Sequence, residues 1–376
     1  MKNLFFITIP TMVILLLIFE LFFRFFFPAA HYPIRYFDEE VGILKFNQEF
    51  GETGVVSLGK FGQEQYQWTI NNHGWNSSID YVHEKGEKTR IAIIGDSYIE
   101  AFQVNSKDHL SRKLDQLLGE NIEVYSFGVS GSPLSQYLHM ARYVEETYQP
   151  DVMIVNVVYN DFDESLHEWI LRKSFMSLEI EEGKPIQEIA PVKDPINKLA
   201  FLKNSAFASY LLYNLKVRET FRDFLNSQKD RSTINANIYL DQLGNEKVYQ
   251  GMDYVVEQFK QDFPNTKVVF MMDAPREDIY KGKLSDSNVL FLEHRFKESC
   301  TKNGLAFIPL SPLFEADYQT NAKKFNSPYD GHWNPYAHDL IANHLFDFLK
   351  NDTLVKKEMN ITDLQIKKGE LNISDL

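Results

Sequence analysis

A single cysteine, Cys300, stands among 376 residues. That excludes an internal disulfide and leaves no cysteine pair at metal-ligand spacing; its surroundings read as a buried helix position. Basic charge is also short. Lys and Arg number 39 against 52 Asp and Glu, a formal net charge of -13. Nothing basic is concentrated enough to neutralise a phosphate backbone, so nucleic acid is not expected as a partner. The chain lacks a Gly-rich phosphate loop and a His-Glu-x-x-His helix. His338 and His344, on the last expected helix, are not spaced as a ligand pair. No metal or other cofactor is therefore expected, and no internal repeat or low-complexity block occurs. Apolar residues are plentiful. With 44% hydrophobic and 14% aromatic residues the chain can bury a sizeable core, which excludes global disorder.

From Leu4 to Phe23 the sequence is almost wholly apolar, about the ~20 residues that span a bilayer. A cleavable signal peptide has an apolar core of roughly 7–15 residues followed by small residues. Here the run is longer, and Phe25, Phe26, Phe27 and Pro28 stand where small residues would be. The segment reads as a signal anchor over residues 1–30, with Glu20 and Arg24 one helical turn apart and able to pair. Lys2 favours an N-terminus on the cytoplasmic side and the bulk of the chain outside it, in the periplasm or at the cell surface.

Residues 31–88 read as a juxtamembrane extension, punctuated by glycines, with a strand near Tyr66–Asn71. Tyr66, Trp68 and Trp75 are expected to pack rather than to bind ligand. From residue 89 the pattern changes. Ile91 to Ile94 form a short continuous apolar run, the mark of a strand buried on both faces of a parallel sheet. Gly95 ends it, and a helix is expected from the Asp96–Ser97 step to about Leu118. The second strand, in IEVYSFGVSG, ends at Gly128, Ser130 and Gly131. A helix with Pro133 in its first turn follows, to Tyr148. A third strand, DVMIVNVVYND, runs to Asn160 and Asp161. Strand–helix alternation at this spacing means βαβ units.

The alternation is interrupted over about 162–244, an insertion with a hairpin around Glu182 and Gly183 and a helix from Ser205. It resumes with a helix from Val248, a strand in TKVVFMMDAP, a helix around Leu292–Asn303 and a strand in LAFIPL. A loop is expected next, then YDGHWNPYAH and a last helix to Lys350. The tail, 351–376, is polar and of mixed charge.

Ser97, Gly131, Asn160, Asp330 and His332 all fall at expected strand ends or just before the last helix, where open α/β sheets bind ligands. Together these blocks resemble the SGNH (GDSL-type) hydrolase and acyltransferase superfamily. The first block is Gly95–Asp96–Ser97. Gly131 stands for the second, Asn160–Asp161 for the third, and Asp330 with His332 for the last. The resemblance covers 89–350 and leaves the anchor, the extension and the tail outside it. Two departures stand out. Val158 occupies a position where many members carry glycine, so Val158 and Tyr159 are expected to narrow the pocket. Asp330 and His332 are separated by Gly331 alone, whereas two residues are the commoner spacing. Gly331 is expected to give the backbone freedom for the two to face each other. Position 99 is Ile, which excludes the Gly-x-Ser-x-Gly elbow of the α/β-hydrolases.

The resemblance implies a three-layer α/β/α sandwich with a flavodoxin-like parallel sheet. It implies Ser97 as nucleophile, His332 as base and Asp330 as its orienting carboxylate. The Ser97 and Gly131 N–H groups and the Asn160 amide would form the oxyanion hole. The activity implied is that of a serine esterase or O-acyltransferase, with an acylated carbohydrate or another ester as substrate. The membrane is a partner through the N-terminal helix, and a transferase would also need a membrane-embedded acyl-donor partner. A glycan-binding protein on the same fold and a lipase-like esterase are the alternatives.

Overall fold

The computed structural model describes residues 4–27, 29–47, 53–195, 204–217, 244–352 and 355. The apolar N-terminal run is helical: a π-helical stretch, Leu4–Thr8, leads into α1, Ile9–Phe25, none of whose residues is buried. The apolar window Phe5–Phe25 holds 21 residues, which at the α-helical rise spans about 30 Å, the thickness of a bilayer's hydrocarbon core.

Two antiparallel hairpins follow: β1 (Arg35–Asp38) with β2 (Ile43–Phe46), and β3 (Thr53–Leu58) with β4 (Glu64–Thr69). Only the last of these strands is foreseen in the sequence, where glycines mask the alternation. Trp68 is buried with Phe46, Val56, Leu58, Ile70 and Phe102, and Trp75 packs edge-on to Phe127 at 5.1 Å between centroids.

The central sheet has five strands: β5 (Thr89–Gly95), β6 (Ile122–Gly128) and β7 (Val152–Val157), then, after a short β8 (Ser177–Glu179) and β9 (Gln187–Ile189) hairpin, β10 (Lys267–Met272) and β11 (Ala306–Pro309). All pairings in it are parallel, and the spatial order is β11-β10-β7-β5-β6. Counted among the core strands this is the flavodoxin-like order 2-1-3-4-5. β5 is the first core strand and lies inside the sheet, so the chain leaves it to one side for β6 and returns to its other side for β7.

Alternate residues of each strand feed two cores. Ala92, Ile94, Met153, Val155, Phe270 and Met272 face one, with α4 (Leu134–Tyr148), α6 (Gly244–Asp262) and α8 (Asn288–Lys302). Ile91, Ile93, Ile154, Val269 and Met271 face the other, with α3 (Leu110–Leu118), α9 (Ser311–Asn321) and α10 (Pro335–Leu349). This is a three-layer sandwich. Cys300 is buried and unpaired on α8.

The structure departs from the sequence reading in several places. The helix after Ser97 is a single turn, α2 (Ser97–Glu100), closed by Ala101 in the left-handed conformation at φ 53°. Phe102 turns away to pack against Phe46 and Trp68 at 5.4 and 6.2 Å, and, after a 3-10 turn at Ser106–Asp108, α-helix resumes only at Leu110. Pro133 caps α4 in an extended conformation instead of entering its first turn. α9 occupies a stretch expected as loop, with Phe314 stacked on Phe325 at 4.3 Å. The helix expected from Ser205 begins as α5 (Ala206–Ser209) and continues as a π-turn to Asn214; its remainder, from 218, lies outside the described residues. So does the tail, apart from Asn351, Asp352 and Val355.

Candidate active site

Gly95 ends β5 beside Gly128 at the end of β6. A Cβ on Gly128 would meet the backbone of Ile99 and Glu100 at 2.1–2.6 Å, so only glycine lets α2 seat this closely. Asp96 caps α2, its carboxylate accepting the Tyr98 N–H at 3.0 Å. Ser97 is thereby placed at a helix start on the C-terminal edge of the sheet, between the strands where chain direction switches.

His332 reaches the same edge from a hairpin that the sequence does not announce, β12 (Asn326–Ser327) with β13 (Asp330–Trp333). Its Nε2 lies 2.7 Å from Ser97 Oγ, and its Nδ1 lies 2.5 Å from Asp330 Oδ1. Asp330 Oδ1 also accepts the His332 backbone N–H at 2.9 Å. With Nδ1–H donated to the carboxylate, Nε2 is left to accept from the serine hydroxyl. The three side chains form one line. Gly331 plays a different part from the one expected. Its φ is not positive, and a side chain there would meet nothing within 4 Å. Asp330 and His332 are two apart on a strand, and the two-residue period of a strand puts both on one face.

Gly131 and Asn160 lie on the same sheet edge, beyond the two strands that flank β5. Gly131 sits in a loop tied to β5 by the Val129 N–H, which donates to the Gly95 carbonyl at 3.2 Å. Its φ of +80° suits glycine, and a Cβ would lie 3.8 Å from Leu171 and 3.9 Å from Phe175 of the insertion. Asn160 occupies a 3-10 turn, Tyr159–Asp161. Asp161 braces that turn from below, accepting the Val158 N–H at 2.6 Å and the Tyr137 hydroxyl at 2.8 Å. Val158 is buried, whereas Tyr159 lines the cleft beside the triad.

The carboxyls of this region differ in how readily they ionise. Burial pushes Asp96 up to about 6 and Glu164 up to about 7, and holds Asp161 well above the carboxylate range. Burial also acts to raise Asp330, but the hydrogen bond and charge of His332 outweigh it and bring that carboxyl below its usual value. The carboxyl that touches the imidazole is the one favoured as an anion.

A second set of residues escaped the sequence reading. Asp273, just past β10, accepts the Trp333 indole N–H at 2.8 Å and pairs with Arg276 at 3.0 Å. Arg276, at the start of α7 (Arg276–Tyr280), donates to the Gly331 carbonyl at 2.7 Å and to the Tyr98 hydroxyl. Tyr98 in turn packs against His332 and Trp333 at 4.9 and 5.0 Å. These contacts clamp the hairpin that carries Asp330 and His332 onto α2. Their only signal in the sequence is position, at the end of a core strand. A cleft of about 550 Å³ opens beside them, lined by Tyr98, Tyr159, Arg276, Asn326 and Gly331 among others. Among the described residues no cluster of His, Cys, Asp and Glu is arranged to hold a metal ion.

No family model and no curated protein matches the chain. Solved structures do. An acetyl xylan esterase, AlAXEase, aligns at 14% identity over 69% of this chain and 99% of its own, with a TM-score of 0.40. Est24, a carbohydrate acetylesterase from Sinorhizobium meliloti, aligns at 10% identity over 69% and 98%, with a TM-score of 0.37. A lipolytic G-D-S-L family protein from Veillonella parvula aligns at 10% identity over 70% and 99%, with a TM-score of 0.38.

Proposed function

We propose that the chain is a membrane-anchored serine esterase or O-acyltransferase that works through an acyl-Ser97 intermediate on O-acetylated cell-envelope carbohydrate. The observation that carries this reading is the line Ser97–His332–Asp330, with contacts of 2.7 and 2.5 Å, at the switch point of a parallel sheet. Ser97 Oγ attacks the acyl carbon while His332 Nε2 takes its proton. The negative charge that develops on the acyl oxygen is met by the N–H groups of Ser97 and Gly131 and the Asn160 amide, one donor being worth about 3 kcal/mol. As the carbon–oxygen bond to the sugar breaks, His332 returns the proton to the departing sugar oxygen. Water or a second hydroxyl, deprotonated by His332, then attacks the acyl-serine and frees Ser97. Asp330 holds the imidazole in the required tautomer and stabilises the imidazolium.

In this reading residues 1–30 anchor the chain, 31–88 join the anchor to the catalytic unit 89–350, and that unit lies outside the cytoplasm. The cleft mixes polar groups, Asp273, Arg276 and Asn326, with apolar ones, Ala274, Pro275 and Val289, so the acyl-chain length accepted separates a sugar acetyl ester from a long-chain one. Turnover of activated esters of increasing chain length by the full-length protein in detergent tests this. Acetyl and propionyl esters should be hydrolysed fastest, and a maximum at octanoyl or longer would favour a lipase-like enzyme instead.

A further inference from the structure

The anchor helix is built into the catalytic unit. The last turns of α1 pack against Asn204–Asn214 of the insertion: Phe207 stacks on Phe19 at 5.1 Å and on Phe23 at 5.5 Å, and Tyr210 stacks on Phe23 at 4.2 Å. Glu20 accepts from the Ser205 hydroxyl at 2.7 Å and from the Ala206 and Phe207 N–H groups at 3.1 and 3.2 Å. Arg24 donates to the Asn204 carbonyl at 2.9 Å. All four α1 side chains lie in the last turns of the span Phe5–Phe25, so in a membrane-spanning α1 the segment packed on them would sit at the outer end of the hydrocarbon.

The same segment grips the β3–β4 hairpin. The Asn214 amide donates to the Ser57 hydroxyl at 2.9 Å and the Gly59 carbonyl at 3.1 Å, and accepts the Ala30 N–H at 3.0 Å. The Tyr210 hydroxyl donates to the Lys60 carbonyl at 3.1 Å. At the tip of that hairpin Phe61 is 71% exposed beside Lys60. An exposed aromatic with a neighbouring lysine is the composition of a bilayer interface.

The hairpin then meets the catalytic loop. A Cβ on Gly59 would lie 3.0 Å from the Tyr329 ring, one residue before Asp330. Ser327 donates to Glu64 at 2.6 Å. A short series of contacts therefore runs from the outer end of the membrane helix to the loop that carries Asp330.

We propose that the catalytic cleft is fixed at the bilayer surface and acts on a lipid-linked carbohydrate ester, the sugar entering the cleft while its lipid stays in the membrane. This rests on Ser97 being the nucleophile. A site held at that height meets membrane-bound sugar at a raised effective concentration and gains nothing for a freely diffusing one.

The test uses the full-length protein in phosphatidylglycerol-containing vesicles. Cys300 is fully buried, so nitroxide labels can be attached selectively to Phe61→Cys and to Val82→Cys. Val82 is 56% exposed and precedes β5, at the opposite edge of the sheet. The label at 61 should collide more often with membrane-dissolved oxygen and less often with a water-soluble nickel chelate than the label at 82. Equal, water-like behaviour at both sites would overturn the placement. In parallel, an O-acetylated hexadecyl glucoside in the vesicles should be turned over at least about tenfold more efficiently than its methyl counterpart. Equal turnover of the two, with a soluble acetyl ester still hydrolysed through Ser97, would overturn the inference and leave the esterase reading standing. Loss of turnover on every ester would count against the esterase reading itself, and the labels would still decide the placement.

Discussion

One guanidinium nitrogen of Arg35 bonds both carboxylate oxygens of Glu100, at 2.5 and 2.6 Å, across 65 residues of sequence. The Glu100 side chain is 1% exposed. Its carboxylate also accepts the Ser130 hydroxyl, and its backbone carbonyl accepts the Asn76 amide at 2.7 Å. The N-terminal extension is thus bonded to the residue that ends α2 and to the loop that carries Gly131. Removing Arg35 would leave a buried carboxylate without its counter-charge. Arg35→Ala should destabilise the fold by about 3–5 kcal/mol, and Glu100→Gln in the same chain should restore part of that. Urea unfolding of the three variants checks it.

Asp330 and Asp161 separate by charge state. If Asp330 orients the imidazole, Asp330→Asn should lower ester turnover by up to ~10⁴-fold with little change in melting temperature. Asp161 is held by burial toward its neutral form, so an isosteric amide alters its charge little. Asp161→Asn should keep turnover within about tenfold of the parent, since Asn still accepts the Val158 N–H. Turnover and melts of both variants, measured side by side, decide between them.

Arg276 acts on the site through Gly331 and Tyr98. Arg276→Lys keeps the charge beside Asp273 but loses the fork that reaches two acceptors at once. A hairpin released by even 1 Å should lower kcat by about 10²-fold, with KM for a small acetyl ester nearly unchanged. A rise in KM at constant kcat would assign Arg276 to substrate binding instead of positioning.

Stability should carry the mark of Glu164. Its folded-state value, raised by burial from 4.5 to about 7, means the folded chain keeps a proton that the unfolded chain has released. Its contribution is complete below about 4.5 and fades as pH rises through 7, at about 1.4 kcal/mol per pH unit in between. His109 and His338, driven by burial to about 4 and about 3, act in the opposite sense. Their contribution holds above 6.5 and is lost as pH falls. Glu164→Gln removes one group only. Its stability relative to the parent should therefore rise between about pH 4.5 and 7 and level off above, as read from urea midpoints.

The core of the fold is legible in the sequence for a physical reason. A strand buried on both faces must be apolar throughout, and β5, β7 and β10 read as such runs. Ser97 and Asn160 follow β5 and β7 directly and Gly131 follows β6, so their placement on one edge follows from strand order. The hairpin that carries Asp330 and His332 was not legible, because Asn-Ser-Pro-Tyr-Asp-Gly-His has neither apolar alternation nor strand propensity; its shape is imposed by Arg276, Asp273 and Glu64. The packing of Phe19, Glu20 and Phe23 on Ser205–Tyr210 was equally silent, since Glu20 and Ser205 lie 185 residues apart and local pattern reports only near neighbours.

The account stands on Ser97 as the nucleophile that His332 activates. Intact-mass spectrometry of the full-length protein treated with a fluorophosphonate tests it most directly. One adduct should form, it should map to Ser97, and it should fail to form in Ser97→Ala and form far more slowly in His332→Ala, each variant also losing ester turnover. An adduct on another residue, or undiminished turnover in Ser97→Ala, would contradict the account.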